Sequence, residues 1–358
     1  MEGLAKDAAM SFLQRLTLTE RAVLVCLAIV FLVALSFLPV NDYRYFAEAA
    51  LAWRSGASQL YDASSQEFYY APWSLLLTVL LSYLPQQFGQ AILNFLSLTG
   101  IALSIVVLAR TGISRSFFYA LLAPFHAALV ILGQWDGLVL GGVALAWLAV
   151  SRKRPWMLGI ALVIIGSKPT NVLLVGLALL YMLRDWPWQL WLKTAVFPLL
   201  AVAFSFWACG FDWPIRYVNL IQQNPPPGLN VSFWDLLGLP IGAAVALFAL
   251  MWWGWSIWKF GMSSERFAWT IVVSMLISPF LTPYHFIGAS PALAIILRQH
   301  FTLGLGLWVF SLIAFALFAA YWIALIPLPL YLLTVLVVGA VLDYRAQFAL
   351  SHQHPTSD

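Results

Sequence analysis

A succession of apolar runs, broken only by short polar stretches, leaves this chain almost no choice of fold class. The runs cover residues 22–40, 89–109, 117–132, 137–150, 156–167, 170–183, 194–209, 241–258, 267–281, 286–297, 302–325 and 327–342. Hydrophobic residues make up 63% of the chain and charged residues only 9%, where a soluble domain carries about a quarter charged. Inside a bilayer every backbone polar group must be satisfied within the protein, which leaves helices for runs of this kind. The expected fold is an all-α polytopic membrane protein, with residues 22–345 as one transmembrane domain of about twelve helices. The net charge of +4 forms no basic stripe, so it fits loops at a lipid surface rather than a nucleic-acid partner. Cys26 and Cys209 lie in apolar runs without CxxC spacing and read as buried structural thiols.

Orientation follows from the basic residues. Residues 1–21, with Lys6, Arg15 and Arg21, precede a run long enough to cross the membrane. They read as a cytoplasmic segment ahead of an uncleaved signal-anchor helix. The later clusters are Arg110/Arg115, Arg152–Lys153–Arg154, Arg184/Lys193, Lys259/Arg266, Arg298 and Arg345. The positive-inside rule puts each of them, and the tail 346–358, on the cytoplasmic side. The breaks midway between clusters then share the outer side. They are Asp42 and the loop 41–71, Gly133–Gln134–Trp135–Asp136, Ser167–Lys168–Pro169–Thr170–Asn171, the loop 210–240, and Thr282–Pro283–Tyr284–His285. A bacterial cell membrane, with these breaks on its periplasmic face, is the expected setting.

Several runs hold only 12 to 16 residues, about 18–24 Å of helix against a hydrocarbon core of about 30 Å. Their outer ends are therefore expected below the surface, lining a recessed polar cavity. Residues 72–84 disturb the order, because one more crossing would put Arg110 and Arg115 outside. A partial helix and a local failure of the positive-inside rule both remain open.

The densest polar stretch runs from Pro39 to Pro72, with Asp42, Arg44, Glu48, Arg54, Asp62 and Glu67. Within it Tyr43, Phe46, Ala47, Ala50 and Leu51 recur at helical spacing, which predicts an amphipathic helix along the membrane surface. Asp42 is the leading candidate for chemistry. It reads either as a general base at the cavity mouth or as an N-cap, with Asn41 the rival for that task. Lys168 interrupts a long apolar stretch. It reads as a cation for a lipid phosphate or as a side chain snorkelling from the Pro169 turn. His285 shares its side and favours the same anion, whereas His126 sits inside an apolar run and reads as packing. Gln134 and Asp136 stand at a helix start, where capping is the plain alternative to contact with substrate. Absence of DxD, HExxH or a His/Cys cluster leaves no support for a bound metal or other cofactor. No Gly-rich phosphate loop and no GxSxG is present, which excludes a soluble nucleotide-sugar or ATP enzyme. A transporter or flippase for a lipid-linked or small anionic substrate is the main rival class. It would gather its polar groups near the midplane and show related halves. A non-catalytic scaffold would not require Asp42, Lys168 and His285 to share a side.

Taken in order, these pieces resemble the membrane glycosyltransferases of the GT-C type. They are most similar to glycosyltransferase family 87, the polyprenol-phosphate-mannose-dependent mannosyltransferases. The resemblance rests on Asp42, Tyr45, Gly56, Leu60–Tyr61 and Tyr69–Tyr70–Ala71–Pro72 in the first outer loop. It continues through Gly133–Gln134–Trp135–Asp136, Lys168–Pro169, Asn230–Val231–Ser232, and Ser278–Pro279 ahead of His285. Ala71 and Asp136 stand where the family pattern has Pro and Asn. The resemblance implies a GT-C-like bundle with an amphipathic outer loop after the first helix. It implies a hexose, mannose foremost, moved with inversion from a polyprenyl-phosphate-linked sugar donor to a lipid or glycan acceptor. Asp42 would be the base, and Lys168, His285 and Arg44 would meet the donor phosphate. Tyr45, Glu48, Tyr61, Tyr70, Gln134, Asp136 and Asn230 would contact substrate, and membrane lipid would surround the site.

Overall fold

The computed structural model describes residues 17–56, 60–61, 68–168, 172–223, 229–321 and 325–353, and every regular element among them is helical. Lys6, Arg15, Asp62, Glu67, Pro169–Asn171, the proline run 224–228 and the chain end 354–358 lie outside these residues.

The first apolar run forms α1 (Leu18–Ser36), and the amphipathic α2 (Tyr43–Arg54) follows it. A 3-10 turn at Pro72–Ser74 leads into α3 (Leu75–Leu81) and then α4 (Gln86–Leu108). The run 117–132 is not one helix. It forms α5 (Arg115–Leu121) and α6 (Phe125–Leu132), bent by 50°. Pro124 sits at the bend, where its ring cannot donate to the preceding turn. His126 holds the corner, with Nδ1 2.6 Å from the Leu121 carbonyl and Nε2 2.9 Å from Ser290 Oγ. The chain continues as α7 (Asp136–Ser151), α8 (Pro155–Gly166), α9 (Leu173–Leu183) and α10 (Trp188–Cys209). Next come α11 (Trp213–Gln223), the single turn α12 (Phe233–Leu236), α13 (Gly238–Phe260) and α14 (Ser264–Ile277). A 3-10 segment, Pro283–Ala289, precedes α15 (Ser290–Gln299), α16 (Phe301–Tyr321) and α17 (Pro327–Gln353).

Among the described residues five helices, α4, α10, α13, α16 and α17, are each long and apolar enough to cross a membrane, and the bent pair α5–α6 makes a sixth. The chain is thus an integral membrane protein. Shorter apolar helices, α7, α8 and α9 with the last turns of α1, stand among these spans. By contrast α14 and α15 are buried along nearly their whole length. They form the core that the long helices wrap. Cys209 is buried as expected, but Cys26 is exposed on α1 beside the outward-facing Val25 and Leu27. In a span with lipid on one side, an apolar run alone does not tell which residues face the protein.

Residues 72–84 do not cross. Ala71 N–H donates to the Ser167 carbonyl, and Trp73 Nε1 to the Val163 carbonyl, so this segment starts beside the end of α8. It finishes where Arg54 Nη1 reaches Ser82, beside the end of α2. Immediately afterwards α4 starts, with Gln90 bonded to Pro39 and Asn41. All three contacts belong to one end of the bundle. The partial helix, rather than a broken charge rule, resolves the odd count. Consistent with this, Arg298 bonds the carbonyls of Ala109 and Arg110 and pairs with Glu265, so these basic clusters gather at the other end.

The helix over 43–54 forms as its periodicity predicts, but its apolar face is not laid on the membrane. Tyr43, Phe46, Ala47, Ala49 and Ala50 are buried against the protein. Close packing fixes the centre of the fold. A Cβ on Gly137 of α7 would lie 2.4 Å from the Ser97 carbonyl of α4, and one on Gly100 2.2 Å from the Gly137 carbonyl. The two backbones touch there, directly beneath the corner that carries Gln134 and Asp136.

Candidate active site

Four breaks in the helices converge at that end. Gly133, at φ +70°, ends α6 in the left-handed conformation that glycine adopts without strain. The turn brings Gln134 and Asp136 to the start of α7. Ser97 Oγ holds the Gln134 carbonyl at 3.1 Å, and Asn94 Nδ2 holds the Val130 carbonyl at 2.8 Å. On the facing side Asn41 Nδ2 donates to the Ile131 carbonyl at 2.8 Å, which ties the break after α1 to the same corner.

The side chains form one connected chain. Gln134 Nε2 donates to Asp42 Oδ2 at 2.5 Å. Gln134 Oε1 accepts from Tyr70 Oη at 2.9 Å and faces Lys168 Nζ at 3.3 Å. Two donors on one oxygen orient the amide, so its N–H groups must point to Asp42. Lys168 Nζ donates to Asp136 Oδ2 at 2.6 Å, with the two side chains 11% and 12% exposed. The Tyr284 and Tyr70 rings lie 4.6 Å and 5.3 Å from the ammonium. His285 Nε2 lies 3.3 Å from Asp136 Oδ1, in a side chain 2% exposed.

Asp42 occupies the N-cap position of α2 with helical torsions and makes no side-chain capping bond. The capping alternative therefore fails for it, and its carboxylate belongs to the network. Lys168 does not snorkel. Burial works against its charge, but Asp136, with Tyr284 and Tyr70, outweighs that and raises its pKa. His285 is not a cation. The Thr282 N–H donates to its Nδ1 at 2.9 Å, which leaves the ring proton on Nε2. Burial, opposed by Asp136 and aided by Lys168, lowers its pKa to about 3. The neutral Nε2–H is buried near Asp136 but off the line of a hydrogen bond.

The sequence profile of glycosyltransferase family 87 matches residues 68–279, more than half of the chain. The chain belongs to glycosyltransferase family 87. The matched stretch includes Tyr70, Gln134, Asp136, Lys168 and Asn230, while Asp42 and His285 flank it. Among solved structures, two of ArnT from Cupriavidus metallidurans are similar at a TM-score of 0.43. They are the apo form at 14% identity, covering 90% of this chain and 76% of that one, and the form bound to undecaprenyl phosphate at 16%, covering 91% and 77%. No curated protein matches significantly.

The other residues singled out in this family-87 chain divide into rim and frame. Arg44 and Tyr45 bond to each other at 2.8 Å, and Glu48 is exposed nearby on α2, one to two turns from Asp42. Arg44 also lies close enough to Glu48 and Asp42 for both carboxylates to act on its charge. Tyr61 is 2% exposed and donates to the Tyr70 carbonyl at 2.7 Å, so it braces the loop instead of offering a free ring face. Asn230 fastens its own loop to the stretch before His285. Its Nδ2 donates to the Pro279 carbonyl at 2.9 Å, and its Oδ1 accepts from Leu281 and Ser232. Tyr284, whose ring also meets the His285 imidazole at 4.7 Å, went unnoticed in the sequence. So did Gln90, Asn94 and Ser97, though their i, i+4, i+7 spacing marks a polar stripe on one face of a span.

Proposed function

We propose that this protein transfers a hexose, mannose foremost, from a polyprenyl-phosphate donor to a lipid or glycan acceptor. The observation that carries the reading is the buried chain Asp42–Gln134–Lys168–Asp136–His285 at one end of the bundle. A transporter's polar groups would sit near the midplane. The short helices around this end support the recessed cavity of a GT-C-like bundle of about twelve membrane segments, with the outer, periplasmic face as its side.

In this scheme the Asp42 carboxylate takes the proton of the acceptor hydroxyl. The hydroxyl oxygen attacks the anomeric carbon from the face opposite the phosphate. The anomeric C–O bond to phosphate breaks, its electron pair leaves with the phosphate oxygen, and the configuration inverts. Gln134 presents one oxygen of Asp42 in fixed orientation. The leaving phosphate gains a negative charge, and Lys168 supplies the cation for it by moving between Asp136 and the phosphate. Asp136 keeps that ammonium in place before the donor arrives. His285 contributes a neutral N–H, held by Thr282. Arg44, Tyr45 and Glu48 form the rim that the acceptor crosses.

A lipid-linked donor also needs an apolar path to the site. A groove of about 310 Å³, lined among others by Leu76, Val163, Ile164, Leu200 and Phe204, opens on the flank of α3, α8 and α10. Ile164 lies one helical turn before Lys168, so the groove supports lateral entry of a polyprenyl chain with its phosphate at the ammonium. Purified protein in liposomes, offered polyprenyl-phosphate sugars and nucleotide sugars in parallel, tests the donor class. Transfer from the lipid-linked donors alone is expected, and transfer from nucleotide sugars alone would refute the reading.

A further inference from the structure

We propose that α11 is a membrane-interface helix, seated in the headgroup–acyl boundary on the site's side of the bilayer by Phe211, Ile215, Val218 and Ile221. Phe211, just ahead of the helix, is 88% exposed, and Ile215, Val218 and Ile221, three residues apart along one side of it, are 67%, 50% and 36% exposed. The opposite side is taken by the protein. Leu220 is buried, Tyr217 Oη donates to the Tyr69 carbonyl at 3.2 Å, and the Tyr217 and Trp213 rings lie 5.3 Å and 6.1 Å from Tyr61. Thus α11 differs from α2, whose apolar side is buried.

What covers the stripe follows from its continuity with a span. It begins where α10 ends, beside Trp207, which is 73% exposed, and Phe206 stacks on Phe211 at 5.5 Å. The surface that meets lipid along α10 therefore runs on without a break into α11. Gly210, at φ +82°, turns the chain, and Arg216 locks the corner by bonding the Cys209 carbonyl and Asp212. Arg216 is the sole cation of α11 and is already paired. The contact is accordingly apolar insertion, not attraction to anionic headgroups. Because Tyr61 bonds the Tyr70 carbonyl, the seat of α11 sets the height of the loop that delivers Tyr70 to Gln134.

The test uses the full chain with Cys26 and Cys209 replaced by serine and single nitroxide labels at Ile215, Val218 or Glu48. Vesicles are of phosphatidylcholine alone and of phosphatidylcholine with phosphatidylglycerol. Labels at 215 and 218 should be more accessible to oxygen than to a water-soluble nickel complex, equally in both vesicles, and the label at 48 the reverse. Nickel access at 215 and 218 matching that at 48 would overturn the proposal. Dipolar broadening there, the signature of a second copy on the stripe, would do the same. A dependence on phosphatidylglycerol would overturn the apolar mode of contact. Should the serine background not fold, a diazirine phosphatidylcholine applied to the unaltered protein should label peptides containing 211–221, and their absence among labelled peptides refutes the seat. Neither readout involves sugar transfer, so failure here is distinct from failure of the proposed reaction.

Discussion

Replacing Lys168 by methionine separates the two tasks assigned to that side chain. The ammonium lies 2.6 Å from Asp136, both side chains are nearly enclosed, and the off-line His285 Nε2 and the neutral Tyr70 and Tyr284 near that carboxylate carry no charge to replace it. Methionine fills a similar volume but leaves Asp136 as an uncompensated buried charge. Breaking one side of such a pair costs about 3–5 kcal/mol. Removing both charges, in Lys168→Met with Asp136→Asn, is close to neutral. Equilibrium unfolding in mixed micelles should therefore find the single variant weaker by that amount and the double variant near the parent. Sugar transfer in liposomes should be lost in both, because the ammonium assigned to the leaving phosphate is gone. A single variant as stable as the parent would refute the buried-pair energetics. Recovery of transfer in the double variant would reduce Lys168 to a structural role.

Three further predictions probe the surroundings. Gln134→Glu puts a carboxylate where an amide now donates to Asp42 at 2.5 Å. The groups facing this pair are Lys168, Asp136, His285, Tyr70 and Tyr284, with Arg44 and Glu48 on the rim. Like charges sharing a site should raise the apparent pKa of the base, seen as a shifted acid limb of the transfer rate; an unmoved limb would remove Gln134 from contact with the base. His285 has a folded pKa near 3, below its unfolded value of about 6.5. The unfolded chain binds more protons between these values, so stability is full above about pH 6.5 and declines as pH falls toward 3. His285→Asn should show a shallower acid decline in unfolding experiments, and an equal slope would contradict the assignment. Gly137→Val places a Cβ 2.4 Å from the Ser97 carbonyl. It must part α4 from α7, costing about 1–3 kcal/mol and moving Asp136, so both melting temperature and transfer should drop.

Much of this was legible in the apolar runs, since each corresponds to a helix or to a bent pair. The bend at Pro124 was written in the run 117–132, but hydrophobicity alone passes through a proline unchanged. Helical periodicity announces the amphipathic α2, yet the same pattern serves a helix on lipid and one on protein. Burial of Tyr43 and Phe46 decides the case for α2, whereas exposure of Ile215 and Val218 supports the lipid seat proposed for α11. Positive-inside reasoning brought Asp42, Lys168 and His285 to one side. It brought Gln134 there too, but could not reveal that the Gln134 amide bonds Asp42 directly, a contact across 92 residues of sequence. Nor could it reveal that His285 is neutral, since that depends on one backbone N–H of Thr282.

The central claim is that Asp42 is the base. Its most direct test is sugar transfer by purified protein in liposomes, across a panel of polyprenyl-phosphate sugars, with the parent beside Asp42→Asn. The substitution keeps the shape and removes the proton acceptor, so a folded variant should lose about 10²–10⁴-fold in rate. Transfer by the variant at the parental rate would contradict the account.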